Sequence, residues 1–173
     1  MVRGRHVLFI VENNTVPFDR RVWAEARAAR DLGYAVSVIC PFDRNRKDRR
    51  KCIDGIRIFR HPRPIEGLDK WTMGLEYLNA LAWEFFLSLR VYLSRPFSIL
   101  HAANPPDHIF LIALAFKLAG VRFVFDHHDL TPETYVAKFG SRRFLYRVLL
   151  WMERRSLRTA DVVISTNESY KRV

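Results

Sequence analysis

The residues best suited to chemistry in this chain of 173 residues stand together at Asp126-His127-His128-Asp129. Two imidazoles between two carboxylates can bind a metal, work as base and orienter, or donate hydrogen bonds to a sugar or phosphate. Adjacent residues on an extended chain point to opposite sides, so the two histidines cannot easily ligate one ion together. No third histidine or cysteine stands at ligand spacing, and no metal is expected. One histidine facing a cleft is the more economical arrangement. In the alternative, both finish a strand and bond to backbone. The neighbouring Thr131-Pro132-Glu133 needs no catalytic role: Thr131 caps a helix, Pro132 takes its first position and Glu133 suits the helix dipole.

A second polar stretch runs from Asn13 through Asn14 and Thr15 to Asp19, Arg20 and Arg21. It lacks the glycines of a dinucleotide fingerprint, and it is no P-loop. A polar loop feeding the amino end of a helix, with two arginines behind it, suits an anionic or hydroxyl-rich ligand. The alternative is that both arginines face solvent. Asn104, ahead of Pro105-Pro106-Asp107, caps a helix by its position and joins these residues as a candidate contact to substrate.

A third pattern lies on the helix expected over Arg142 to Arg158. At about 100° per residue, Arg143, Arg147, Arg154 and Arg158 fall in one stripe about 60° wide. Phe144, Leu145, Val148, Leu149 and Met152 lie opposite and are expected to face the core. Leu150 and Trp151 flank the stripe. Such a row suits the anionic headgroups of a membrane surface, and it equally suits a solvated helix face. The basic residues come without a nucleic-acid module, so no nucleic-acid partner is expected.

The elements that must position these groups can be read in order. His6 to Val11 and Val36 to Cys40 are short apolar runs, the mark of strands buried on both faces. Between them Asp19 caps a helix that carries Val22, Ala26 and Ala29 on one face and ends at Gly33. Phe42 to Lys51 holds six basic residues and reads as a solvated loop. Ile56 to Phe59 is a strand after the turn pair Asp54-Gly55. Trp71 to Ser94 is a long helix in which Glu76, Asn79, Glu84 and Arg90 interrupt the apolar residues. It is therefore expected to pack on the sheet with those four on its outer side and not to span a membrane. Ser98 to Ala102 is a strand, and a helix starting at Pro105 ends at Gly120. Val121 to Phe125 is a further strand, a helix follows Thr131, Asp161 to Ser165 is a last strand, and Asn167 opens a helix. Strands alternating with helices throughout make one α/β domain over residues 1–173: doubly wound, Rossmann-like, with a mostly parallel sheet. In such sheets ligands sit beyond the carboxyl ends of the strands.

Composition sets the outer limits. An apolar content of 49% excludes a disordered chain. The two cysteines, Cys40 and Cys52, make no redox or metal motif, and Cys40 ends a buried strand. A reduced, cytoplasmic protein is expected, without a signal peptide. A net charge of +11 asks for an anionic partner.

Three stretches carry a resemblance: VPFDRRVWAEARAARDLGYAVSVICP (Val16–Pro41), FVFDHHDLTPE (Phe123–Glu133) and ERRSLRTADVVISTNES (Glu153–Ser169). With these, the chain resembles the amino-terminal domain of a family 4 glycosyltransferase of the GT-B architecture. The resemblance implies a two-domain retaining enzyme whose amino-terminal half binds the acceptor and whose carboxyl-terminal half binds the nucleotide-sugar. It implies no metal and no cofactor, the nucleotide-sugar being a co-substrate. By motif position His128 contacts the donor sugar, with His127 as second choice and Asp129 beside it. It further implies a saccharide or lipid-linked acceptor, a role in polysaccharide biosynthesis, and a use for the arginine stripe on the inner face of the plasma membrane. Asn13-Asn14 replaces the glycine pair of many members. The donor-binding half is expected outside residues 1–173, so the chain is expected to be a fragment, cut short before its last elements, or half of a split enzyme, inactive alone. The competing expectation is a non-catalytic membrane- or partner-binding module.

Overall fold

The computed structural model describes residues 4–42, 48–62, 70–140 and 144–166. Seven strands form one sheet: β1 His6–Val11, β2 Ala35–Pro41, β3 Arg50–Ile53, β4 Ile56–His61, β5 Ile99–Ala103, β6 Arg122–His127 and β7 Val162–Ser165. Its order is β3-β4-β2-β1-β5-β6-β7. Every neighbouring pair is parallel except the β3–β4 hairpin. Apart from that hairpin, the strands take the doubly wound order, which reverses direction between β1 and β5.

Alternation along β1 divides the core. Val7, Phe9 and Val11 meet Val22 and Ala26 of α1 (Arg20–Asp31). Leu8 and Ile10 face the other way, to a cluster holding Phe97, Phe116, Phe123 and Phe125, which α2 (Lys70–Ser94) and α3 (Phe110–Lys117) cover. Helices α4 (Thr131–Phe139) and α5 (Phe144–Thr159) carry the chain from β6 to β7. Among the described residues no helix is long and apolar enough to cross a membrane.

Several details depart from the sequence-based expectation. Thr131 does not cap α4 but is its first residue, with Leu130 at the cap position and no side-chain cap bond. The end of the basic run is not loop, because Arg50 and Lys51 pair with Phe59 and Ile58 in β3. Asp54 and Gly55 both take left-handed backbone, φ 51° and 76°, which closes a two-residue hairpin. The segment after Asn104 begins its helical course at a 3₁₀ turn, Asp107–Ile109, and not at Pro105. On α5, Phe144 is 79% exposed and does not face the core, since it opens the helix beyond the sheet. The residues α5 buries are polar, Glu153 and Ser156. The helix expected from Asn167, and Arg143 of the arginine stripe, lie outside the described residues.

The largest departure is on α2. Glu84 was placed on the solvent side of α2, yet it is fully buried, with Ser88 beside it. Leu75, Leu78, Phe86 and Leu93 of the same helix are each more than half exposed. Asn79 and Arg90 do face outward. Glu84 lies on the side of α2 that carries Ala80, Leu87 and Val91 to the sheet, and it is buried with them near His61, which ends β4.

Candidate functional site

The carboxyl ends of β1, β5 and β6 meet at the switch point, and there the candidate residues gather. Asn104 follows β5 and is fully buried. Its Nδ2 donates to Asp107 Oδ1 (3.0 Å) and to the Asp129 carbonyl (2.6 Å). Its Oδ1 accepts from the amides of His128 (2.8 Å) and Asp129 (3.1 Å). All of these bonds are internal, so Asn104 sets the path of the chain leaving β6 and has no amide group to spare.

The two histidines diverge. His127 is buried with Nε2 3.1 Å from Glu153 of α5. His128 is partly exposed, and its Nδ1 stands 3.4 Å from Asp126 Oδ2. Asp126 is fully buried and takes both arms of Arg21, with Nε at 2.8 Å and Nη2 on the other oxygen. Burial alone would raise the Asp126 carboxyl, but the His128 and Arg21 hydrogen bonds overcome it and hold the group below its usual range. In return the Asp126 hydrogen bond raises the His128 pKa despite partial burial. The result is a rim imidazole whose Nδ1 faces a fixed carboxylate and whose Nε2 remains for a ligand. An imidazole held in this way can donate a hydrogen bond or a proton to a bound oxygen.

The first loop frames the other side. Asp19 Oδ1 accepts from the Val22 amide at 3.0 Å and caps α1, so its carboxylate serves the helix. Thr15 is buried, its hydroxyl 3.8 Å from Cys40 Sγ. Arg60, itself buried, donates to the Val16 carbonyl at 3.1 Å and props the loop from β4. Asn13, Phe18 and Arg20 are exposed and Asn14 is half-buried. Thus Asn13, Asn14, Arg20, His128 and Asp129 present side chains at the rim, whereas Thr15, Asp19, Arg21, Asn104 and His127 build what holds it.

Sequence reasoning passed over Asp126 as a partner of Arg21, and Glu153 as a partner of His127. A signal existed for each: a carboxylate at the end of a buried strand must be paired, and Glu153 interrupts the inner face of α5.

On the outer surface Arg147, Arg154 and Arg158 are exposed, and Trp151 is half exposed between the Phe110 ring and the Arg155 guanidinium. Leu145, Val148, Leu149 and Met152 line a mostly apolar cavity of about 150 Å³ with Leu78 and Leu81 of α2.

Comparison with known proteins bears on the family and the fold. The family model for a glycosyl transferase 4-like domain matches residues 19–172. Among solved structures, the chain is similar to sucrose-phosphate synthase from Thermosynechococcus elongatus, with a TM-score of 0.69 at 16% identity, over 97% of this chain and 44% of that one. It is also similar to a UGT transferase from Siraitia grosvenorii in complex with UDP, with a TM-score of 0.58 at 10% identity, over 95% of this chain and 45% of that one. At these identities the likeness is one of fold. The chain spans less than half the length of either protein. No curated protein matches it.

Proposed function

The chain belongs to the glycosyl transferase 4-like domain family, and from that premise we propose that it is the acceptor-side half of a retaining glycosyltransferase. The reaction moves a sugar from a nucleotide-sugar donor to a saccharide or lipid-linked acceptor. The observation that carries this reading is the Arg21–Asp126–His128 chain at the switch point. A buried carboxylate fixed from one side by a bidentate guanidinium orients a rim imidazole from the other. In this role His128 donates from Nε2 to the donor sugar. Asn13, Asn14, Arg20 and Asp129 offer hydrogen bonds to acceptor hydroxyls around it. The nucleotide is held by a carboxyl-terminal half, the transfer uses no metal, and this half alone does not turn over.

Calorimetry with a panel of nucleotide-sugars tests the division of labour. Weak or no binding by residues 1–173 is the expected result, and tight binding of a UDP-sugar by these residues alone counts against it. In the enzyme containing both halves, His128→Asn is expected to cut kcat by about 10²-fold or more, the scale of a lost acid–base or charge-stabilising group.

A membrane surface is the second element of the proposal, favoured by the outward apolar residues of α2 and the exposed arginines of α5. Arg49, Arg50, Arg60 and Arg90 also line a cleft of about 580 Å³ next to Trp83 and Phe86. Apolar side chains flanked by arginines match an anionic bilayer at the cytoplasmic face, where a lipid-linked acceptor would present its headgroup. Sedimentation with anionic liposomes tests it. Binding should fall at least tenfold when Arg147, Arg154 and Arg158 become Ala, and unchanged binding would mean that the stripe is a solvated face.

A further inference from the structure

Behind the rim a second polar cluster is buried where α2 meets the sheet. Glu12 leaves the end of β1, His108 sits in the 3₁₀ turn after Asn104, and Glu84 comes from the middle of α2. They are 8%, 4% and 0% exposed. One ligand atom from each lies within 4.8 Å of the others, and His108 Nε2 is 3.5 Å from Glu12 Oε2. Among the described residues neither oxygen of Glu84 has a hydrogen-bond partner, nor has His108 Nε2.

His61 adds an independent clue. Its Nδ1 is 3.0 Å from the Pro62 carbonyl, which can only accept, so Nδ1 carries the proton. Nε2 therefore turns a lone pair towards Glu84 Oε1, 3.9 Å away. A buried lone pair directed at a buried carboxylate is poor pairing unless something positive stands between them.

We propose that Glu12, Glu84 and His108 bind one divalent first-row transition cation, with His61 turned towards the Glu84 carboxylate beside it. Two positive charges offset the pair of carboxylates; for Glu84, burial first and the neighbouring Glu12 charge second disfavour the anion. Carboxylate oxygen with imidazole nitrogen is the ligand mixture of zinc, manganese and iron(II) sites. Donation of the second ring N–H to a backbone carbonyl, as in His61, is the outer hydrogen bond that metal-binding histidines make. A tetrahedral ion with bonds of about 2.1 Å keeps its ligand atoms about 3.4 Å apart. Side-chain shifts of about an ångström close the present cluster to that size.

The other acidic grouping among the described residues, Glu25 with His101 and Asp126, is less suited, because Arg21 already occupies both oxygens of Asp126. The cation would pin α2 to the sheet and fix the exit of β1 next to Asn13. It takes no part in sugar transfer and does not rest on that reading.

The test uses zinc and cobalt with the chelator-stripped chain. Calorimetry should give one zinc equivalent per chain, and zinc should raise Tm by several degrees. Cobalt should give the visible bands of nitrogen and oxygen ligation without a sulfur charge-transfer band in the near ultraviolet. Glu84→Gln and His108→Gln should each weaken zinc binding at least about 100-fold, while Cys52→Ser, an exposed thiol, leaves it unchanged. A wild-type chain without stoichiometric binding overturns the proposal. So does binding that survives both ligand variants, or a sulfur-ligated cobalt spectrum. If neither variant folds, the wild-type cobalt spectrum decides.

Discussion

At the scale of single residues, the site depends on who partners whom. Asp126 raises the His128 pKa, so Asp126→Asn should move the imidazole titration to lower pH, which NMR of its ring protons will read. Asn104→Ala should cost about 1–3 kcal/mol by denaturant unfolding, because it removes the partner of the part-buried amides of His128 and Asp129 and of the buried Asp107 side chain. The pair of histidines between aspartates was legible in the sequence as chemistry-bearing. So was the divergence expected of neighbours on an extended chain. The partners were not: Arg21 lies 105 positions from Asp126 and Glu153 lies 26 from His127. Only the closed sheet brings them together. Asn104, expected at the substrate, proves to be a tie between two strand exits because its position after β5 faces the exit of β6.

At the scale of elements, local chemistry was the most readable. Asp19 caps α1 as its type and position dictate, and Asp19→Ala should cost roughly 1 kcal/mol by thermal unfolding. The Asp54-Gly55 turn was read correctly, although the strand it joins to β4 was hidden inside a run of charge. Gly55→Val should destabilise by about 1–2 kcal/mol, since φ is 76° there and a β-branched residue resists it. The orientation of α2 was misread for a definable reason. Both of its sides carry apolar residues, Ala80, Leu87 and Val91 inward and Leu75, Leu78 and Leu93 outward. Periodicity alone then cannot say which side the sheet takes. The sheet takes the side of Ala80, Leu87 and Val91, and Glu84 and Ser88 are buried with them.

At the scale of the whole molecule, the fold class followed from alternation of strand and helix, and the strand order matches a doubly wound half. Its pH response follows from buried imidazole. His6 begins β1 fully buried, bonded to the Arg95 carbonyl and Ser37, and burial lowers its pKa from 6.5 to about 4. Between those two values the unfolded chain binds the proton and the folded chain does not. Stability therefore falls as pH drops through this window, by on the order of 3 kcal/mol at about 1.4 kcal/mol per pKa unit. Asp107, raised by burial to about 6, pulls the other way at the acid end. The contribution of His6 is thus read as the difference between wild type and His6→Asn in urea unfolding at pH 7 and pH 5, with the variant expected to show the flatter dependence.

The reversed polarity of α2 bears on how the domain behaves in a tube. A row of leucine and phenylalanine turned to water sets a colloidal limit, so light scattering from the purified domain should rise steeply with concentration and with added sulfate. A mild non-ionic surfactant should abolish that rise without altering the circular dichroism. Replacing Leu75, Leu78 and Leu93 with glutamine should do the same in plain buffer. What limits solubility would then be the dress of one helix and not the stability of the fold beneath it.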